Sequence, residues 1–232
     1  MLVLNSPANP TGAVFPRELL EQLATIAVEN DLLILSDEVY EHILFEDAAH
    51  VSIASLAPHT AARTITVNSV SKTHAMTGWR IGYAAFPGRL AGKVVAIQQV
   101  STSAPSAISQ RAALAALTGD QSHVERMVQA YAERRSYVLD RIDAIPRLRA
   151  HPPSGTFYCF VNIADLIGKS LNGECIEDSG ALAALLRAHA GVGVVSGMPF
   201  GAERHIRISF AVAMAALEEG FDRIEESVKS LD

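Results

Sequence analysis

Cysteine is scarce in this 232-residue chain, which contains only Cys159 and Cys175. Two cysteines are too few for a disulfide framework or a zinc site, so we expect a reducing compartment. The formal net charge of −6 provides no basic surface for nucleic acid or an anionic membrane. No apolar run reaches membrane-spanning length, and the apolar part of the first ten residues is too short for a signal peptide. These absences predict a soluble cytoplasmic protein that binds neither nucleic acid nor membranes.

The chain is rich in apolar residues, which make up 49% of it and are enough for one large domain or two small ones. Short apolar runs typical of buried strands occur at residues 2–4, 32–35, 63–67 and 81–86. A helical pattern follows Pro16 and separates the first two runs. This alternation predicts an α/β fold with a mostly parallel sheet covered by helices.

The second half of the chain has a different pattern. Asp120 precedes a long amphipathic stretch and is a candidate helix cap. Strands are then expected at residues 192–195 and 206–210, followed by a last amphipathic helix. We therefore expect an α/β domain over residues 1–118 and a small α+β domain over residues 119–232.

Polar residues follow each of the first three predicted strands. Asn9 follows the first, Asp37 and Tyr40 follow the second, and Ser69 and Lys72 follow the third. Taken singly, these residues are explained by a turn, a helix cap or an exposed surface. Ligands of open α/β sheets bind at the carboxyl ends of the strands, so one ligand can meet all of these residues.

The chemistry of these residues indicates which ligand this is. A lysine amine forms a Schiff base with an aldehyde, and an aspartate keeps a pyridine nitrogen protonated. Tyrosine and asparagine can bond a phenolic oxygen. Ser69 and Arg80, which lie three residues before and eight residues after Lys72, are suited to a phosphate. These are the groups that hold pyridoxal 5′-phosphate.

Five segments carry a resemblance to a known family: NSPANPTG, SDEVY, SVSKTHAMTGWRIGY, PSGTFY and HIRISF. With them, in this order, the chain resembles the class I/II (fold-type I) pyridoxal-phosphate-dependent aminotransferases of the aspartate aminotransferase superfamily. The resemblance implies part of the large cofactor-binding domain over residues 1–118 and the C-terminal small domain over residues 119–232. It also implies a homodimeric enzyme of amino acid metabolism and biosynthesis.

The resemblance assigns roles around the cofactor ring. Lys72 is implied to be the Schiff-base lysine and the proton shuttle, and Asp37 the partner of the pyridinium nitrogen. Tyr40 and Asn9 are implied to bond the phenolic oxygen, and Val39 to pack against the ring. The Asn9–Pro10 peptide bond is implied to be cis.

Further roles concern the phosphate and the substrate. Ser69 and Arg80 are implied to bind the phosphate, and Arg207 to bind the α-carboxylate of the substrate; no metal is expected. Residues 96–105 lack the arginine that one subgroup uses for a distal carboxylate, so a preference for aspartate does not follow. The expected substrates are an amino acid and a 2-oxo acid.

Two alternatives to amino transfer remain open. A C–S lyase that works by β-elimination would share the fold, the cofactor and the residues named above. A non-catalytic remnant is the other alternative, because no counterpart of the family's upstream arm, glycine-rich turn and ring-stacking aromatic residue is found before Met1. The chain is therefore expected to be the C-terminal part of an aminotransferase.

The histidines form no metal-ligand spacing, and four of them are expected to be loop or surface residues. These are His42, His50, His59 and His74.

Overall fold

A computed structural model describes residues 1–232, which form two units, each with its own sheet. The first unit comprises Met1–Ala8 and Ala13–Val128, and the second comprises Asn9–Gly12 and Gln129–Asp232. The domain boundary between residues 118 and 119 stays a prediction. No helix combines the length and the apolar character needed to cross a membrane.

The sheet of the first unit has four strands. In spatial order these are β1 (Leu2–Asn5), β2 (Ile34–Asp37), β3 (Thr64–Ser69) and β4 (Gly82–Ala85). The first three strands are parallel, and β4 runs antiparallel to β3. The sequence therefore predicted the mostly parallel sheet correctly. The second strand begins two residues later than expected, because Leu32 packs against the core before the strand pairing starts. It also ends two residues later, because Ser36 and Asp37 still pair with β3.

Helices lie between and after the strands of this sheet. They are α1 (Arg17–Glu29), α2 (Pro58–Ala61), α3 (Val70–Thr73), α4 (Gly88–Ser101), α5 (Ala107–Thr118) and α6 (Ser122–Ala144). α1 buries Leu20, Ala24 and Ala27, which form one core with Leu4 of β1 and Ile34 of β2. Because apolar residues at helical spacing meet apolar strand residues, α1 is fixed over the first two strands.

Asp120 lies just before α6 and acts as predicted. Its Oδ1 accepts a hydrogen bond of 3.0 Å from the backbone nitrogen of Ser122, the first residue of the helix. This contact satisfies one of the amide groups that have no partner within the helix. α6 is the longest helix, and the division between the two units falls within it.

The helices α4 and α5 expose much apolar surface. Val95, Ile97 and Val100 of α4 are 54%, 66% and 87% exposed, and Ile108 of α5 is 75% exposed. A run of apolar side chains of this size is typical of a surface that another protein segment covers. The homodimer stays a prediction.

The second unit is α+β. Its elements are β5 (Arg149–Ala150), β6 (Tyr158–Asn162), β7 (Ser170–Leu171), β8 (Glu174–Cys175), α7 (Ser179–Leu185), β9 (Val195–Ser196), β10 (His205–Ser209) and α8 (Met214–Lys229). The main sheet is antiparallel in the order β5-β6-β10-β9, and β7 pairs with β8. The strand expected at residues 192–195 is shorter than predicted: it begins three residues later and ends one residue later. Gly191 has a left-handed backbone (φ 65°) that ends the preceding helical turns, and pairing starts only at Val195.

The core of the second unit lies between its sheet and α8. Leu217, Phe221, Ile224 and Val228 of α8 are all at most 5% exposed, as their spacing predicted. Ile206 of β10 is 1% exposed, and burying such side chains supplies most of the stabilisation of a small domain.

A tight turn between β9 and β10 positions Phe200. Gly197 begins this turn, and its amide donates to the backbone oxygen of His205 at 2.8 Å. A Cβ atom at Gly197 would lie 2.2 Å from the backbone oxygen of Ala202 and 2.5 Å from that of His205. Both neighbours are backbone atoms, so the turn needs glycine here.

We therefore expect Gly197→Ala to lower the free energy of unfolding by about 2 kcal/mol or more, because the added methyl group forces the turn apart. Urea unfolding followed by circular dichroism measures this change. Gly193→Ala is the matched control, since a Cβ atom there meets nothing within 4 Å. An equal effect of the two substitutions would contradict the role given to Gly197.

Candidate active site

The parallel register of the first sheet fixes Asp37 at the carboxyl edge. Asp37 is the last residue of β2 and pairs with Asn5 of β1 on one side and Val67 of β3 on the other. Its backbone oxygen accepts hydrogen bonds of 3.2 Å from the side-chain amide of Asn5 and of 3.2 Å from the backbone nitrogen of Ser6. The backbone that carries the Asp37 carboxylate is therefore held on both sides.

The structure brings Lys72 and Tyr40 together. Tyr40 lies in the turn after β2 and is 4% exposed, while Lys72 lies in the short helix α3 that follows β3 directly. The Nζ atom of Lys72 lies 6.0 Å from the centre of the Tyr40 ring. Between Asp37 and Tyr40, the backbone nitrogen of Val39 donates to the Asp37 Oδ1 atom at 3.3 Å. Neighbouring parallel strands thus place an amine, a phenol and a carboxylate at one sheet edge.

Ser69 and Arg80 lie on adjoining parts of the β3–β4 pair. Ser69 ends β3 and caps α3, where its Oγ accepts a hydrogen bond of 2.8 Å from the backbone nitrogen of Ser71. Ser69 pairs with Gly82 of β4, two residues beyond Arg80. Arg80 is exposed, has a left-handed backbone (φ 57°) and donates to the Thr77 backbone oxygen at 3.0 Å. A hydroxyl group at the end of β3 and a guanidinium group two residues before β4, both suited to an anion, are therefore linked through the pairing of these strands.

The second unit holds Arg207 and Asn9. The Nη1 atom of Arg207 donates to the Asn9 Oδ1 atom at 2.8 Å, and the Asn9–Pro10 peptide bond is cis, as expected. The Arg207 Cζ atom lies 4.2 Å from the centre of the Tyr158 ring and 5.5 Å from that of Phe200. Its buried Nε atom has no hydrogen-bond partner. The guanidinium plane is thus fixed by aromatic rings and keeps donor capacity that suits a carboxylate.

The short segment Asn9–Gly12 is held against residues of the PSGTFY segment. The Gly155 backbone nitrogen donates to the Gly12 backbone oxygen at 2.9 Å. Gly12 has φ 70°, and a Cβ atom there would lie 2.3 Å from the Cβ atom of Pro153. The Nε atom of the buried Arg135 in turn donates to the Pro153 backbone oxygen at 2.7 Å. Two segments that are distant in sequence are thereby fixed together within the second unit.

Glu38, which sequence reasoning did not single out, is a buried carboxylate beside Asp37. It is 2% exposed, and its Oε1 atom accepts hydrogen bonds of 2.8 Å from both the Ser36 and the Ser52 hydroxyl groups. Its Oε2 atom lies 3.1 Å from the His50 Nε2 atom. His50 lies in a loop, as expected, but its side chain is only 9% exposed.

The environment of Glu38 favours its charged form. Burial raises the pKa of the Glu38 carboxyl, but the hydrogen bonds from His50, Ser52 and Ser36 together outweigh burial and hold this pKa below its ordinary value. Ligand atoms of Glu38, Glu41 and His50 lie within 4.8 Å of one another, as metal ligands would. Both oxygens of Glu38 already accept hydrogen bonds, so the cluster is a hydrogen-bond network of the turn.

The residues of the first unit fit pyridoxal phosphate chemically. Lys72 is an amine for an aldehyde, Asp37 a carboxylate for a ring nitrogen, and Tyr40 a phenol for a ring oxygen. Ser69 and Arg80 add donors for a phosphate. Their roles stay predictions, and the fit rests on the chemistry of these groups and on the strand register that gathers them.

Comparisons with known proteins identify the family. A family model described as "Aminotransferase class I and II" matches residues 1–224. The chain belongs to this family. It is 42% identical to the aspartate aminotransferase of Bacillus sp. (strain YM-2) over 228 residues, which are 98% of this chain and 57% of the relative. The chain thus spans a little over half the length of this aminotransferase.

Solved aminotransferase structures show the same fold. The aspartate aminotransferase from Rhizobium meliloti matches with a TM-score of 0.94 and 38% identity over 99% of this chain and 58% of that chain. The aromatic aminotransferase from Pyrococcus horikoshii OT3 matches with a TM-score of 0.90 and 40% identity over 98% of this chain and 59% of that chain. The predicted family and the predicted α/β fold are confirmed, and members of this family are generally pyridoxal-phosphate-dependent.

We expect the stability of the chain to depend on the charge of Glu38. Its folded-state pKa is lowered, so the stabilisation is present at neutral pH and is lost as the pH falls through that value. Glu38→Gln should therefore unfold more easily than the wild type at pH 7. The difference should shrink once the pH falls below about 4, where unfolded glutamates become protonated.

Urea unfolding at a series of pH values measures this difference. Glu18→Gln, which removes an exposed carboxylate in α1, is the control and should follow the wild type throughout. A Glu38→Gln variant whose stability differs from the wild type by the same amount at every pH would show that the charge contributes nothing.

Proposed function

We propose that this chain acts in amino transfer between an amino acid and a 2-oxo acid, with pyridoxal 5′-phosphate as cofactor. The observation that carries the proposal is the approach of the Lys72 amine to 6.0 Å from the Tyr40 ring centre, at the sheet edge that also carries Asp37. Membership in the aminotransferase family supports it.

The residues of the first unit would hold the cofactor. When bound, pyridoxal phosphate supplies an aldehyde for the exchange of amino groups and a ring that withdraws electrons. Lys72 would hold it covalently, and Asp37 would keep the ring nitrogen protonated. Tyr40 would bond the ring oxygen, and Ser69 and Arg80 would bind the phosphate oxygens.

Lys72 has a second task once its amine is released. A free amine on a flexible side chain can accept the proton from the α-carbon of a bound substrate and return it elsewhere. The Nζ atom lies 6.0 Å from the centre of the Tyr40 ring, so the proposed base is near the sheet edge.

The second unit would contribute recognition of the substrate. We propose that Arg207 binds the α-carboxylate through its planar face of paired donors. Asn9 and the Tyr158 ring fix the guanidinium group in advance, so little side-chain freedom is lost on binding. Asn9 is also proposed to bond the ring oxygen of the cofactor, and Val39 to pack against its ring.

Aspartate is the amino acid to test first, because several relatives are named aspartate aminotransferases. One relative, from Petunia hybrida, is named for glutamate/aspartate-prephenate amino transfer as well. Release of pyruvate from cysteine-type substrates, measured beside amino transfer, distinguishes the proposed reaction from C–S lyase activity.

We expect Lys72 to be the residue that binds the cofactor covalently. The chain is incubated with pyridoxal phosphate and reduced with borohydride, and its peptides are then mapped by mass spectrometry. The pyridoxyl mass should lie on Lys72, and Lys72→Ala should lose this label. The rate of multiple turnover of this variant should fall by about a thousandfold. Lys93→Ala, which changes an exposed lysine in α4, should keep both. A label on Lys93 or Lys169 would refute the assignment.

We expect Arg207 to act on substrate affinity. Arg207→Lys keeps the charge but loses the paired donors, so the KM for the amino acid should rise about tenfold or more. The affinity for pyridoxal phosphate, measured by absorbance titration, should not change. Arg204→Lys, which changes an exposed residue just before β10, is the control. An unchanged KM in Arg207→Lys would exclude this role for Arg207.

A further inference from the structure

The turn from Asp37 to Tyr40 carries three proposed cofactor-binding residues, Asp37, Val39 and Tyr40, and between them a second acidic residue, Glu38, that has no role in the proposed function. Asp37 is half-buried, whereas Glu38 is 2% exposed. A carboxylate this deeply buried costs much solvation, and an apolar residue would often stabilise the same position better. A charge at this depth therefore depends on the donors that surround it.

Three donors meet the Glu38 carboxylate, and they come from two parts of the chain. Ser36 lies in β2, directly before Asp37, whereas His50 and Ser52 lie 12 and 14 residues after Glu38. The carboxylate therefore fastens the turn after β2 to the segment that leads into the single helical turn Ile53–Ser55. Ile53 of that turn is 1% exposed and belongs to the core beneath the sheet, so the anchor is rigid.

The backbone of the same turn is also held at several points. The Glu38 nitrogen donates to the Val67 backbone oxygen at 2.9 Å, and the Glu38 backbone oxygen accepts from the Glu41 nitrogen at 2.9 Å. The Val39 nitrogen donates to the Asp37 carboxylate itself. Both backbone groups and the side chain of Glu38 are thus fixed, in a turn that also carries Asp37 and Tyr40.

We propose that Glu38 is a positioning residue for cofactor binding. Anchored by Ser36, His50 and Ser52, it holds the turn in the shape that presents Asp37 to the ring nitrogen of the cofactor and Tyr40 to the ring oxygen. This inference rests on the proposed function. A residue that acts in this way changes how tightly the cofactor ring is held, and not only how stable the fold is.

Analogues of the cofactor distinguish positioning from general support of the fold. The affinity of Glu38→Gln for pyridoxal phosphate should fall about tenfold, the size of one misplaced hydrogen bond to a charged group. The 1-deaza analogue has a CH group in place of the ring nitrogen, so it cannot use Asp37. The affinity of Glu38→Gln for this analogue should be only about twofold lower, or less, than that of the wild type. A loss of affinity that acts through Asp37 is not expected for a ligand that lacks the nitrogen atom to which Asp37 binds.

A milder variant keeps the test decisive if Glu38→Gln does not fold. Ser52→Ala removes one of the three donors and leaves the charge, and it should show the same pattern at a smaller size. Ser55→Ala is the matched control, since the Ser55 hydroxyl group is exposed and donates only to the Ser52 backbone oxygen at 2.7 Å. Hydrogen–deuterium exchange of the cofactor-free chain should be faster at Val39 and Tyr40 in Glu38→Gln and Ser52→Ala, and unchanged in Ser55→Ala.

The outcomes separate this inference from the proposed function. If the wild-type chain binds no pyridoxal phosphate, the proposed function fails and the positioning role fails with it. If the wild type binds it and both variants bind it equally well, only the positioning role fails. If both variants lose the same factor for the cofactor and its deaza analogue, Glu38 supports the fold alone and the proposal is overturned.

Discussion

The parallel pairing of β1, β2 and β3 is the constraint on which the first unit depends. Because the three strands run in one direction, their carboxyl ends meet at one edge, and the residue that ends each strand has no freedom to lie elsewhere. This pairing sets the backbone of Asp37 between Asn5 and Val67. The core formed by α1 and the sheet keeps the strands in register. Its apolar contacts therefore help to determine where the ends of the strands lie.

The two units fix their charged groups in different ways. The first unit places a buried carboxylate, Glu38, among neutral and imidazole donors and leaves it charged. The second unit places a cation, Arg207, between aromatic rings and a neutral amide oxygen. In both cases neighbouring groups hold the geometry of the charge, for Glu38 within the turn and for Arg207 beside the proposed carboxylate of the substrate.

Much of this arrangement could be predicted from the sequence because its signals are local. The apolar runs predicted the strands of the first sheet, and the polar residues near their ends indicated Asp37 and Lys72 as candidate site residues, whose roles stay predictions. The link of Glu38 to His50 could not be predicted in this way, because it depends on the path of a loop that brings together residues 12 positions apart. The late start of β9 was missed for a related reason: an apolar run looks like a strand whether or not a partner strand is beside it.

The assignment of Asn9–Gly12 to the second unit has a consequence for the connectivity of the chain. Residues on both sides of this segment belong to the first unit, so the polypeptide enters the second unit, leaves it, and returns only at Gln129. Neither unit is a continuous stretch of sequence. A fragment that starts at residue 129 would lack the partner of Gly155 and the amide that Arg207 binds, and no single cut releases the second unit whole. The NSPANPTG segment therefore contributes residues to both units, and an inserted or deleted residue there would affect the two folds through one change.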